Sequence, residues 1–320
     1  MKLAAFRQDQ RKGLGIVWGE RLIDLNKGTH LFRKQQGQQG EPLPDLDMKG
    51  FLSQGPNALD EARRVMTWVQ GQVGERSEAP AELRDVLLDL DKAKILAPIS
   101  DPPKILCLAR NYVSHIREVV EDAPLPKSLL IFMKPSTAII GPGDSVVVPP
   151  DCKKLDHEVE LAVVIGKKGR HIPKELAMDH VAGYTVFNDI SDRGYLFQEE
   201  TQRVNWFAMK AQDSFAPMGP WIALKDEIRD PHRLRLRLWV NGELRQDSTG
   251  EEMVFKIPQI VSELSRLVTL EPGDVIATGT PTGTSFSTKK YLAAGDVVEC
   301  EIEGIGLLRN SVEVQEPVYR

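Results

Sequence analysis

What this chain has little of narrows its class first. It carries 3 cysteines in 320 residues, Cys107, Cys152 and Cys300. An odd count without metal-ligand spacing argues against a disulfide framework or a cysteine zinc site and points to reduced, buried thiols in a cytosolic protein. No apolar run approaches the roughly 20 residues that a membrane helix needs. The apolar stretch near Leu3 to Phe6 is too short for a secretory leader, so a cytoplasmic protein without a membrane partner is expected. Neither sign of charge dominates: the net charge is -5, with 41 basic and 46 acidic residues intermixed. That excludes the basic footprint of a nucleic-acid-binding surface. What is present is enough apolar sequence, 41%, to bury a full core in one large domain plus a smaller one.

Along the chain, Leu3 to Phe6, Gly15 to Trp18 and Arg21 to Leu25 read as a small β unit. Residues 33–47, rich in Gln, Gly and Pro, read as a loop or insertion. Leu59, Ala62, Val65, Met66 and Val69 recur at helical spacing, and 80–94 repeats that signal behind Pro80. Ala97-Pro-Ile-Ser-Asp-Pro-Pro103 stops helix formation and marks a boundary between a domain over 1–97 and one over 98–320. Beyond it the pattern is of short strands: 104–108, 129–133, 155–166, 181–188, 234–240, 275–278 and 297–302. Ser114 is placed to cap a helix starting near His115, and further helices fit 174–180 and 258–267. The class is α+β, mainly β: a roll or distorted barrel with peripheral helices.

The chemistry centres on Leu155-Asp-His-Glu-Val-Glu-Leu-Ala-Val-Val-Ile-Gly166. On a strand Glu158 and Glu160 share a face, about 7 Å apart. Either a hard divalent cation joins them, or both lie on the wet face of an amphipathic strand. Asp189, ending the strand-like Ala182–Asn188 run, is a third oxygen ligand if the two strands are neighbours, or else a turn residue. His115 and Glu118 share a helical face, where a carboxylate can fix the imidazole tautomer and leave the other nitrogen as a base; a surface His–Glu pair is the alternative. Lys210 is a lysine among apolar residues, either neutralising an anion or snorkelling to solvent. Thr278-Gly-Thr-Pro-Thr-Gly283 is a small-residue loop suited to an anion, or a plain turn, and it lacks the ending of a nucleotide-binding P-loop.

Taken in order, Arg110-Asn-Tyr-Val-Ser-His115 with Glu118, Phe132-Met-Lys-Pro-Ser-Thr137, His157-Glu-Val-Glu160, Asn188-Asp-Ile-Ser-Asp-Arg193 and Thr278-Gly-Thr-Pro281 resemble the fumarylacetoacetate hydrolase family, over about Lys104 to Val314. The resemblance implies a mixed β-roll catalytic domain behind a small N-terminal domain, in a homodimer. It implies Mg²⁺ or Mn²⁺, with Ca²⁺ also suited, on Glu158, Glu160 and Asp189, and a 2-oxo or 1,3-diketo acid as substrate. His115 and Glu118 would form a water-activating dyad on a lid. Lys210 and Thr280 would hold the carboxylate or enolate, with Arg193 assisting and Arg110 and Tyr112 contacting substrate. Hydrolysis of a C–C bond in an acylpyruvate or fumarylacetoacetate type of acid is the expected reaction. Oxaloacetate decarboxylation or isomerisation of a 2-oxo acid is the alternative on the same site. A catalytically silent, metal-stabilised dimer is the alternative outside enzymology, and the intact dyad, lysine and triad count against it. Leu196 stands where many relatives carry a substrate-contacting glutamine, which bears on substrate identity and leaves the metal ligands untouched.

Overall fold

The computed structural model describes residues 1–37, 47–74, 80–118, 120–196 and 203–314. The chain opens with an antiparallel meander of β1 (Lys2–Gln8), β2 (Arg11–Trp18) and β3 (Arg21–Asp24). Asp24 then caps α1 (Leu25–Gln35), its carboxylate accepting from the Lys27 N–H at 3.1 Å; a side-chain oxygen at this position satisfies a donor that has no partner within the helix. After α2 (Met48–Ser53), α3 (Pro56–Val73) starts with proline in its first turn and buries Ala58, Ala62, Val65, Val69 and Val73. Their spacing of three and four makes one apolar stripe. Part of the loop expected over 33–47 lies outside the described residues.

The helix expected over 80–94 is replaced by a 3-10 turn at Ala81–Leu83, β4 (Leu87–Asp89) and β5 (Lys94–Ile95). Leu83, Val86, Leu87 and Leu90 do carry helical spacing. Pairing of β4 to β3 (Leu22 opposite Leu88) and of β5 to β1 (Phe6 opposite Ile95) overrides it.

Past the proline-rich segment come β6 (Ile105–Ala109), α4 (Val113–Arg117), β7 (Leu130–Lys134), β8 (Ile139–Ile140) and β9 (Ser145–Val148). The helix expected from His115 with a Ser114 cap is this five-residue turn, with Tyr112 at its cap position. Next are β10 (Leu155–Asp156), β11 (Val159–Ile165), β12 (Val181–Asn188), β13 (Ser191–Asp192), α5 (Trp206–Lys210) and β14 (Ala216–Leu224). The chain finishes with β15 (Arg235–Val240), β16 (Glu243–Thr249), α6 (Ile257–Leu267), β17 (Val275–Ala277), α7 (Ser285–Thr288), β18 (Val297–Ile302) and β19 (Gly306–Val314). Residues 174–180 form a 3-10 helix.

One sheet runs β4-β3-β2-β1-β14-β12-β11-β17-β6-β7, with β5 and β8 attached to it. A second runs β16-β15-β18-β19-β9, and β10 pairs with β13. Strands β11 and β12 are buried at every position, as their nearly unbroken apolar sequence requires of strands covered on both faces. The N-terminal meander joins the large sheet where Leu3 of β1 lies opposite Ile222 of β14. The apolar core beneath is shared: Leu3, Ile16 and Val65 belong to the same cluster as Ile105, Val164 and Phe187. This is the mixed α+β, sheet-dominated fold expected of the family.

Candidate active site

The ordering of β11 between β12 and β17 builds the acidic centre. Val159 lies opposite Asn188, so the residue after β12, Asp189, arrives beside the start of β11. Two bonds lock that register: the Glu158 N–H donates to the Asn188 side-chain carbonyl at 3.0 Å, and the Asp189 N–H donates to the Glu158 carbonyl at 2.9 Å. Carboxylate oxygens of Glu158, Glu160 and Asp189 consequently lie within 4.8 Å of one another. At 5%, 1% and 1% exposure, none of these residues is on a wet face, which removes the amphipathic-strand alternative.

Buried like charges demand cations. Lys210, at the end of α5, bonds Glu158 at 2.9 Å and Asp189 at 2.5 Å, so it is not snorkelling to solvent. Lys134, at the end of β7, pairs with the other Asp189 oxygen at 2.8 Å and donates to the carbonyls of Ile190, Lys210 and Phe215. Arg193 joins Asp156, at 2.8 Å, to Glu158. Burial works against ionising Glu158, yet Lys210 and then Arg193 outweigh it and hold that carboxyl down to about 2. For Glu160 burial, then Asp189 and Glu158, push the carboxyl well up. Four carboxylates (Asp156, Glu158, Glu160, Asp189) thus face three cations (Lys134, Arg193, Lys210). Glu160 is the one that no described cation bonds, and its raised carboxyl completes three convergent oxygen donors without nitrogen or sulfur. This donor set fits a hard divalent cation.

The dyad sits across from this centre. His115 Nδ1 is 2.9 Å from the Glu118 carboxylate. The second Glu118 oxygen accepts from the Gly283 N–H at 2.6 Å, the Thr282 hydroxyl at 3.0 Å and the Ser287 hydroxyl. Burial raises the Glu118 carboxyl, but His115, Ser287 and Gly283 together prevail and hold it down to about 2. An ionised Glu118 fixes the proton of His115 on Nδ1 and leaves Nε2 as the acceptor.

The loop between β17 and α7 is shaped by two glycines. Gly279, at φ +93, donates its N–H to Glu160 at 2.7 Å. Gly283 has φ +98, and a Cβ there would lie 2.0 Å from the Arg245 carbonyl; both are left-handed positions that glycine alone fills without strain. Thr280 lies in this loop, but its hydroxyl proton is committed to the Val159 carbonyl at 2.9 Å. The hydroxyl also accepts from Gln246 Nε2 at 2.9 Å.

His115, Glu158, Arg193, Lys210 and Thr280 line one cavity of about 470 Å³, with Arg110 also in its wall. Tyr112 is not in that wall: it is fully buried in the core beneath, and burial pushes its hydroxyl pKa upward. Sequence reasoning assigned no role to Lys134, Asp156 or Gln246. A lysine ending the apolar strand Leu-Ile-Phe-Met-Lys was a visible signal for the first; the other two carried none. Leu196 does line the cavity.

Comparison with known proteins fits this geometry. The family model described as fumarylacetoacetate (FAA) hydrolase C-terminal matches residues 104–313. The chain is 38% identical over 318 residues to a Xenopus laevis protein named oxaloacetate tautomerase fahd2, covering 98% of this chain and 90% of that one. It is 41% identical to the Bos taurus oxaloacetate tautomerase FAHD2B over 98% of this chain and 91% of that one. Among solved structures, maleylpyruvate hydrolase from Sphingobium sp. SYK-6, in complex with manganese(II) and pyruvate, superposes with a TM-score of 0.71 at 30% identity, covering 99% of this chain and all of that one. Both tautomerases are named as mitochondrial, which overturns the cytoplasmic placement expected from the sequence. A family match over residues 104–313, joined to relatives of such identity along nearly the whole chain, makes this protein an enzyme of the fumarylacetoacetate hydrolase family.

Proposed function

We propose that this enzyme interconverts the enol and keto forms of 2-oxo acids, with oxaloacetate the first substrate to test. The observation that carries the reading is that His115, held by Glu118, lines the same cavity as Glu158 of the buried carboxylate cluster. The names of its relatives support it. In the enol-to-keto direction the enol oxygen loses a proton and C3 gains one, and His115 Nε2 is the group that carries it to C3. Glu118 holds the imidazole in the tautomer this needs. Lys210 has three Nζ protons and gives two of them to Glu158 and Asp189, so one is left for the enolate oxygen. Glu158, Glu160 and Asp189 would hold Mg²⁺ or Mn²⁺, with Ca²⁺ accepted by the same donors, and the ion supplies Lewis-acid stabilisation of enolate charge. A homodimer, implied by the family resemblance, belongs to the same proposal and is read by sedimentation.

A second reading, C–C hydrolysis of a diketo acid, is favoured by the likeness to a maleylpyruvate hydrolase and by a dyad equally able to deprotonate water. The test gives enol-rich oxaloacetate to the purified protein with Mg²⁺ or Mn²⁺, with and without chelator, following enol absorbance and pyruvate release. Acetylpyruvate is run in parallel. Chelator-sensitive loss of enol without pyruvate is the expected result. His115→Gln should slow it by roughly 10²-fold or more, the usual worth of a general acid–base group. Stoichiometric pyruvate would make it a decarboxylase, and cleavage of acetylpyruvate alone a hydrolase.

A further inference from the structure

The cavity is divided in a way that oxaloacetate does not explain. Its charged side chains are concentrated at the carboxylate cluster, and most of the remaining lining is apolar. The change is abrupt. Lys210 Nζ lies 5.1 Å from the centre of the Phe132 ring, and Phe132 is stacked on Trp206 with centroids 5.1 Å apart. Leu196 and Val204 continue this wall. At about 470 Å³ the space falls within the roughly 300–1,000 Å³ of sites that hold drug-sized ligands, far more than a four-carbon acid fills.

Charge points the same way. A second carboxylate needs a cation of its own. Arg193 is already bonded to Asp156 and Glu158, and Lys210 to Glu158 and Asp189, with its third proton taken by the enolate oxygen in the reading above. Among the described lining residues the remaining cation is Arg110, which is exposed. Nothing described in the apolar part would replace the water lost by a carboxylate entering it.

We propose that the site takes 2-oxo acids whose C3 substituent is apolar, up to the size of a phenyl ring, the substituent packing on Phe132, Trp206, Leu196 and Val204. This rests on the 2-oxo-acid reading above and names its substrate class. The probe is phenylpyruvate, whose enol loses its oxygen-bound proton and gains one at C3, balanced as for oxaloacetate.

The measurement compares kcat/KM for isomerisation of phenylpyruvate and oxaloacetate by the metal-loaded enzyme. The expected value for phenylpyruvate equals or exceeds that for oxaloacetate. Leu196→Arg and, separately, Val204→Arg should move the ratio about tenfold or more towards oxaloacetate, the scale of discrimination expected when an apolar pocket is altered. An enzyme that isomerises oxaloacetate and favours it about tenfold or more over phenylpyruvate overturns the proposal while the 2-oxo-acid reading stands. If neither acid is isomerised, the reading itself fails and takes the proposal with it. Should both variants fail to fold, the wild-type ratio decides alone.

Discussion

At the level of single residues, two side chains set the electrostatics of the site from opposite sides. Lys134 is 2% exposed, and burial lowers its pKa, yet it neutralises Asp189 and ties together three carbonyls. Replacing it with methionine keeps much of the volume, leaves Asp189 with Lys210 as its remaining cation, and makes the buried cluster one positive charge poorer. Breaking a buried pair from one side costs about 3–5 kcal/mol, so Lys134→Met is expected to lower the unfolding free energy by that order in denaturant titration. Glu118 makes a prediction about pH. Its folded pKa is depressed to about 2 from an ordinary value of 4.5. A depressed carboxyl contributes stability that is fully present above the unfolded value and is lost as pH falls through the folded one. Glu118→Gln should therefore be less stable than the parent at neutral pH, and the gap should close between pH 4.5 and about 2. A gap that stayed constant over that window would show that Glu118 is not held ionised by His115, Ser287 and Gly283.

Between elements, the arrangement depends on an amide that belongs to neither the acidic centre nor the dyad. Gln246 reaches from β16 in the smaller sheet, and its side-chain oxygen accepts from the Val159 N–H at 3.0 Å. That bond fixes the amide's orientation, so its nitrogen donates to Thr280 and to the Pro281 carbonyl, each at 2.9 Å. One side chain thereby clamps the 278–283 loop to the strand bearing Glu160. Gln246→Leu removes the clamp and should lower kcat more than it raises KM; Gln246→Glu, which retains the acceptor for Val159, should recover part of the fold stability but little of kcat. Equal losses of stability and activity in both variants would mark a purely structural amide. This clamp also shows where sequence reading stops. Glu158 and Glu160 announced themselves by strand alternation, and His115 and Glu118 by helical spacing, because both signals are local. Asp156, Lys134 and Gln246 reach the site through strand order and register, which link residues far apart in the chain: Lys134 and Asp189, Gln246 and Thr280. The misread helix over 80–94 has the same origin, since a helical spacing yielded to pairing with β1 and β3.

For the molecule as a whole, the proline-rich segment 98–103 separates two stretches of sequence that share one sheet and one core. β1 pairs with β14, the Leu224 N–H donates to the Met1 carbonyl at 3.1 Å, and Leu3, Ile16 and Val65 pack in the cluster that holds Ile105, Val164 and Phe187. The second group of side chains is fully buried in part because the first group covers it. Exposing an aliphatic or aromatic side chain costs about 1.5–3 kcal/mol. A few such exposures match the whole stability of a typical domain, about 5–15 kcal/mol. Removal of residues 1–97 would also open the edge of β14, a long apolar strand and hence a template for aggregation. Residues 98–320 expressed alone should therefore be insoluble or lack a cooperative thermal transition, whereas the full chain should melt in a single one. Supplying residues 1–97 as a separate polypeptide during refolding should restore solubility and whatever turnover the full chain shows in the enol–keto assay together, because the sheet that carries Glu158, Glu160 and Asp189 is completed by strands from the other side of the boundary. A soluble, cooperatively folding 98–320 fragment would show instead that the shared core contributes little, and that the boundary divides the fold as well as the sequence.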